Sequence, residues 1–375
     1  YTSEEVSEFL RLSLRTVQRL LANRALPAYK IHGQYRIKGL DLLNYLDSTR
    51  HGNRAVLPET PAMYTEYLNV HPLTLRLGKH WLSLVEANEE TPVERPLLAR
   101  VPELRKWGVK ALGFVLPGLR LEDDTDLAEG ACEIHLQGVA VFKFEISPWT
   151  DAQGALDTLF EHLERVILQY AHEILCRDEV AVMIEKIRAY RPVVVEEVMR
   201  TEVNPQGLSL GQLTQVLCSL LKERVSIQNL GLILEGLADS LTEAHHPLSV
   251  SHLSEKIRQY LCRQINAPLA NTEGVIEVTT LSPDLEKHLE KAVANKEEVK
   301  SYDVFDAIRQ QLKEAPDAVI ICAVAVRRYL FESLYRRFPR CTVLSYQEIH
   351  EDYRVKQVFV LDWALPHEDG VDKDK

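Results

Sequence analysis

Hydrophobic residues near the start of the chain repeat at helical spacing and then change to alternation. Thr2 and Glu5 form a capping-box pair, and Val6, Phe9 and Leu10 follow at helical intervals. Leu12-Ser13 interrupts this first helix, and Ser13 is placed to N-cap a second. In the second helix Val17, Leu20 and Leu21 form the inward face, which leaves Arg15, Thr16, Gln18 and Arg19 pointing out. Leu26-Pro27 closes the helical region. Tyr29, Ile31, Tyr35 and Ile37 then alternate, which predicts two short strands around a His32-Gly33 turn. Leu40 to Leu46 reads as a closing helix.

Residues 51–72, rich in Pro, Asn and Thr, lose this periodicity and read as a linker with a short helix near Met63 to Leu68. Residues 101–115 fit a helix, and VLPGLRLEDD fits a strand running into an acidic loop. Cys132 to Ile146 alternates on both sides of Gln137-Gly138, which predicts a hairpin. Asp157 to Arg188 is helical, broken near Cys176. Leu208 to Asp239 is helical, broken at Val225-Ser226-Ile227 with Ser226 as the second N-cap, and Leu253 to Ile265 is a further amphipathic helix. From Gly274 the pattern alternates between classes: strands at Val275–Leu281, Val319–Val324, Thr342–Ser345 and Val358–Trp363, and helices at Leu285–Val293, Val304–Leu312 and Arg327–Phe338. The whole predicts an α+β multidomain chain whose last part is a small α/β unit.

Charge divides the chain. Residues 1–50 hold eight Lys/Arg against five Asp/Glu, whereas residues 51–375 hold 36 against 50. A basic module therefore sits on an acidic body. No apolar window approaches the ~18 residues of a membrane span, and the run Ala318–Val326 ends in Arg327-Arg328. No signal peptide is visible, and Tyr1 in place of an initiator Met is consistent with a longer parent chain. The six cysteines lie far apart without C-x-x-C or zinc spacing and read as buried thiols.

Candidate chemistry is sparse. Gly207 to Gly211 matches G-x-S-x-G, but a loop precedes it, so Ser209 reads as an N-cap and not as a nucleophile. His245-His246 and the Glu122-Asp123-Asp124-Asp126 cluster read as solvated loops, and no cofactor motif is present. Arg327, Arg328, Arg336 and Arg337 read as a solvated or subunit-facing basic stripe. The chain is expected not to be an enzyme and to need no cofactor.

Two helices joined by a tight turn, the second displaying polar and basic residues, describe a helix-turn-helix. YT-x-EE, LS-x-RTV-x-RL, LPAYKI, G-x-YRI and DL-x-x-YL, spanning Tyr1 to Leu46, resemble the excisionase-type winged helix-turn-helix family, related to MerR-type regulators. That resemblance implies double-stranded DNA binding. It puts Ser13, Arg15, Thr16, Gln18 and Arg19 on the recognition helix, with Lys30, His32, Gln34, Tyr35 and Arg36 in the wing. The same surface also suits a winged helix that binds protein. A single small module makes few phosphate contacts, so its affinity should be weak and salt-dependent unless copies combine.

A second resemblance covers about Leu73 to Val360. LGFVLPGLRLEDDTDL, LSLGQLTQVLCSLLKERVSIQNLGLILEGLAD, GVIEVTTLSPDLE and VRRYLFESLYRRFPRCTVLSYQEI resemble the cytoplasmic domain of the type III secretion export gate family, FHIPEP, with KERVSIQNL and TVLSYQEI the most specific. The resemblance implies a cytoplasmic location. It implies a mixed α/β subdomain over residues 73–204, an all-helical subdomain used in self-association over 205–270, and a C-terminal α/β subdomain over 271–365; the charged residues 366–375 read as a disordered tail. It further implies a ring, typically of nine subunits, that receives secretion chaperones or other export-apparatus proteins. Two departures stand out: a winged helix takes the place of the family's membrane half, and SPWTDAQGAL leaves almost no room for the family's inserted subdomain, which helps form the chaperone cleft. The primary expectation is a DNA-binding regulator whose body makes protein contacts. The alternative is a secretion component acting through protein binding and ring assembly alone.

Overall fold

The computed structural model describes residues 1–10, 12–23, 26–31, 34–39, 41–42, 45, 70–85, 96–146, 151–201, 204–243, 248–295 and 308–362. The chain divides into two compact units, residues 1–69 and 70–375. The predicted linker helix near residues 63–68 and the pair His245-His246 lie outside the described residues.

In the first unit, helix α1 spans Ser3–Leu10 and α2 spans Leu14–Ala22. The capping box forms as its sequence predicts: Thr2 N donates to Glu5 Oε2 at 2.8 Å, and Glu5 N donates to Thr2 Oγ1 at 3.1 Å. Val6, Val17, Leu21, Leu26, Ile37 and Leu42 form the core, whereas Phe9 stays exposed. Strands β1 (Tyr29–Ile31) and β2 (Gln34–Arg36) pair antiparallel, with Lys30 opposite Tyr35. Gly39, Asp41, Leu42 and Tyr45 are helical.

The second unit opens on β3 (Leu73–Leu77). A helix α3 (Pro96–Ala111) leads to β4 (Leu119–Asp123), and the hairpin of β5 (Ala131–Leu136) and β6 (Val139–Glu145) follows. The sheet order is β4-β3-β5-β6, with β3 parallel to β4 and antiparallel to β5. Gln137 (φ 48°) and Gly138 (φ 82°) both take left-handed backbone, the requirement of a tight two-residue hairpin turn. Leu73, Leu75 and Leu77 are buried beside Trp81, whose indole donates to Gly130 O at 3.0 Å.

Only residues 146–151 separate β6 from the long helix α4 (Ala152–Ile174). There follow α5 (Arg177–Arg188), α6 (Pro192–Val198), α7 (Leu210–Lys222), α8 (Leu230–Glu243), α9 (Val250–Tyr260) and the short α10 (Cys262–Asn266). Helix α7 packs against α4, α5 and α9, and α8 packs against α6 and α9. Their apolar faces and the first sheet share one continuous core. Ser226 does not cap α8. Its hydroxyl accepts from Gln228 N, and Asn229 Oδ1 accepts from Leu232 N at 3.3 Å, so the helix starts a turn later than its sequence predicts. The delay follows from Ile227 N, which donates to Leu112 O at 2.9 Å and holds the segment extended.

The last sheet is all parallel in the order β10-β7-β8-β9: β7 (Val275–Leu281), β8 (Val319–Cys322), β9 (Thr342–Ser345) and β10 (Arg354–Leu361). Helix α11 (Pro283–Ala294) follows β7 and α12 (Val324–Leu334) follows β8, and their apolar faces cover one side. Helix α12 starts three residues earlier than expected because β8 ends at Cys322. Cys132, Cys322 and Cys341 are buried, but Cys176 is exposed at the N-cap of α5, so the reading of uniformly buried thiols fails there. No helix among the described residues is long and apolar enough to cross a membrane.

Candidate functional site

On α2 the cap comes first. Ser13 Oγ accepts from Thr16 N at 3.2 Å and lies 2.8 Å from Thr16 Oγ1, so the two hydroxyls are engaged with each other. This leaves Arg15, Gln18 and Arg19 as the exposed polar face, three and four residues apart and hence on one side of the helix. In the hairpin, Arg36 donates to Tyr35 O at 3.3 Å and Tyr35 is half-buried. Lys38 stands over the Tyr29 ring at 5.0 Å, and its hydrogen bond to Tyr29 raises its pKa. The module therefore presents Arg15, Arg19, Arg36 and Lys38 to solvent. His32 lies outside the described residues, as do the side chains of Lys30 and Gln34.

The body holds a second charged centre that sequence reading missed. Arg258 and Arg327 are fully buried with Glu223, Glu348 and the mostly buried Glu255. Arg258 makes a two-point pair with Glu348, Nε and Nη2 each at 2.9 Å, and reaches Glu223 at 3.0 Å. Arg327 Nη2 donates to Glu223 Oε1 at 3.1 Å, and Arg327 also bonds Glu255 and Val343 O. Burial opposes ionisation of Glu223, but the two guanidinium groups outweigh it and hold its carboxyl below the usual range. The cluster ties the end of α7, the middle of α9 and the start of α12 to the Tyr346–Glu348 turn.

This corrects the expected basic stripe. Arg327 lies on the same face of α12 as Val326, Leu330, Phe331 and Leu334, at spacings of three and four residues, and that face is buried. Arg328 is half-buried and pairs with Glu332 at 3.0 Å, and only Arg336 and Arg337, past the helix end, are exposed. The signal available in the sequence was position. Glu223 lies in KERVSIQNL and Glu348 in TVLSYQEI, so the two most distinctive stretches of the body each contribute a carboxylate to one cluster.

Of the acidic cluster, Glu122 and Asp123 lie in β4, and Arg76 pairs with Glu122 and Asp124. No group of metal-ligating side chains is present among the described residues. Ser209 caps α7 in a box with Gln212, as its sequence predicts.

The second unit, with two four-stranded sheets and a helical layer, has the fold of an export-gate cytoplasmic domain. The FHIPEP family profile matches residues 44–153 and 150–354, and a profile described as a helix-turn-helix domain matches residues 1–50. The chain belongs to the FHIPEP family. The flagellar biosynthesis protein FlhA of Bacillus subtilis is 28% identical over 361 residues, 81% of this chain and 51% of that protein. Protein MxiA of Shigella flexneri is 26% identical over 216 residues, 54% of this chain and 30% of that protein. The chain thus spans about half the length of the curated relatives it matches. Among solved structures, the Chlamydia pneumoniae CdsV protein shares the fold at a TM-score of 0.66 and 22% identity, over 78% of this chain and 98% of that one. A nonameric SctV-C assembly from EPEC shares it at a TM-score of 0.63 and 18% identity, over 78% and 98%.

Proposed function

We propose that the body is a non-enzymatic docking component of a type III export apparatus. It assembles with copies of itself in the cytoplasm and receives secretion chaperones or other export proteins. The observation that carries this reading is the family match across the body, together with the fold it shares with CdsV and with the nonameric SctV-C. A solved complex of CdsV with CdsO gives a precedent for a protein partner on this fold. The buried charge cluster suits such a role, since it fixes the C-terminal sheet against the helical layer. Self-association through Leu208 to Asp239 would use its exposed polar positions, such as Gln215 and Gln228, because the apolar faces of α7 and α8 are consumed within the subunit and Glu235 and Asp239 already pair with Arg191 and the Tyr260 hydroxyl. The family match breaks at residues 150–153, where the link from β6 to α4 is short, so a chaperone cleft of reduced size is expected. The test is capture by the full chain of purified export chaperone–substrate complexes from the host's own flagellar or injectisome system. Retention of at least one supports the reading, and retention of none contradicts it.

A second reading concerns the first unit. The exposed Arg15 and Arg19 on α2, with Arg36 in the hairpin, support duplex DNA binding and a regulatory use of the body. Salt-titrated binding to random and genomic duplexes tests it. Arg15→Ala and Arg19→Ala should each weaken binding and lower the salt slope by about 1. Binding equal to wild type removes this reading and leaves the docking reading intact.

A further inference from the structure

Parallel sheets occur almost only where both faces are covered. Strands β7, β8 and β9 obey this, with most of their residues buried. Strand β10 does not: seven of its eight residues are exposed, including Val355, Val358, Phe359 and Val360. It is also the sheet edge, paired only with β7 among the described residues. Alternate backbone N–H and C=O groups of an edge strand point away from its one neighbour. Edges of this kind are ordinarily blunted by charge, proline or a bulge; Arg354 and Lys356 supply charge to the first half of β10, whereas Val358-Phe359-Val360 carries neither charge nor proline. Val358 sits at a register shift, with Gln357 opposite Val278 and Phe359 opposite Thr279.

We propose that β10 is a strand-addition site for an extended segment of another protein in which apolar residues alternate with Lys or Arg. Main-chain bonding to the edge that has no neighbour among the described residues supplies the binding, and the flanking groove supplies the selectivity. That groove, about 500 Å³, runs beside Phe359 with walls from Leu312, Pro316 and Val319. Its charged lining residues are all carboxylates: Glu277, Glu314 and Asp317. Lys356 meets Glu277 at 2.7 Å and Arg340 meets Asp317 at 3.5 Å, whereas no ion pair to Glu314 occurs among the described residues. A Lys or Arg in the incoming strand would lay its aliphatic stem on Phe359 and bring its charge to Glu314. The excess of acidic residues across positions 51–375 favours the same sign of partner and repels an acidic one.

The experiment uses the full chain with a short capped peptide of alternating valine and lysine, and a matched peptide of valine and glutamate. Hydrogen exchange at residues 355–360 is read by mass spectrometry, and affinity by anisotropy. The lysine peptide should slow exchange in this strand about tenfold, and Glu314→Lys, an exposed change, should weaken its binding about tenfold. Phe359→Ala should also weaken it. Three results overturn the proposal: no slowing at millimolar peptide, equal binding of the glutamate peptide, or protection without peptide of the amides that point away from β7. In the last case, protection that rises with protein concentration assigns the edge to a second copy, and protection independent of it assigns the edge to the chain itself.

Discussion

Replacing Arg327 with methionine removes one of two cations from a cluster that contains three carboxylates. Arg327 is 0% exposed and bonds Glu223, Glu255 and Val343 O, so its loss deprives these buried acceptors of their donor. Glu223, Glu255 and Glu348 are then left facing Arg258 alone. Removing one partner of a buried pair strands charge in the interior and costs about 3–5 kcal/mol. Urea unfolding of the full chain, followed by far-ultraviolet circular dichroism, measures the loss in the second unit. The pH dependence separates this from simple loss of packing. In the wild type the pKa of Glu223 is lower folded than unfolded, so its ion pairs contribute stability above the ordinary carboxylate range and lose it as pH falls through the folded value. In Arg327→Met the stranded carboxylate can protonate instead, so the deficit against wild type should shrink between about pH 7 and about pH 4.5. Adding Glu223→Gln should restore part of the loss, with a coupling of about 0.5–3 kcal/mol. A variant within about 1 kcal/mol of wild type, or a deficit that does not change with pH, refutes the reasoning.

Other expectations follow from single sites. Ser13→Ala removes the acceptor for Thr16 N and should lower the stability of the helix-turn-helix unit by about 1 kcal/mol, read by thermal melting. Gly113 has φ +94°, and an added Cβ would lie 2.1 Å from Gln228 N, so Gly113→Ala should destabilise the second unit and raise exchange at Ile227, whose amide bonds Leu112 O. Cys176, alone among the six cysteines in being exposed, should react with a thiol reagent in the native protein far faster than Cys132 or Cys322. Leu217→Ala empties a fully buried position in α7 and should cost about 2–5 kcal/mol in urea unfolding.

Much of the fold was legible because local signals and tertiary packing agree. The hairpin around Gln137-Gly138 combines alternation with a turn that needs left-handed backbone, and the helix after Ser282 has both a cap and a proline at its start. Ser226 misled because a good capping residue preceded an apolar run, while the distant bond from Ile227 N to Leu112 O decided the local conformation. Arg327 misled for a similar reason. A run of arginines reads as solvated unless its partners are known, and those partners, Glu255 and Glu223, lie 72 and 104 residues away. The polar face of α2 was readable from periodicity alone, although only the structure shows that the Thr16 hydroxyl is engaged with Ser13.

The proposed function has the body assemble with copies of itself and dock other proteins. Single-particle electron microscopy of the full chain across a concentration series tests this most directly. Closed rings are expected, in a fraction that rises with concentration and falls when the exposed Gln215 and Gln228 are both replaced by lysine. Monomers alone at the highest soluble concentration contradict it.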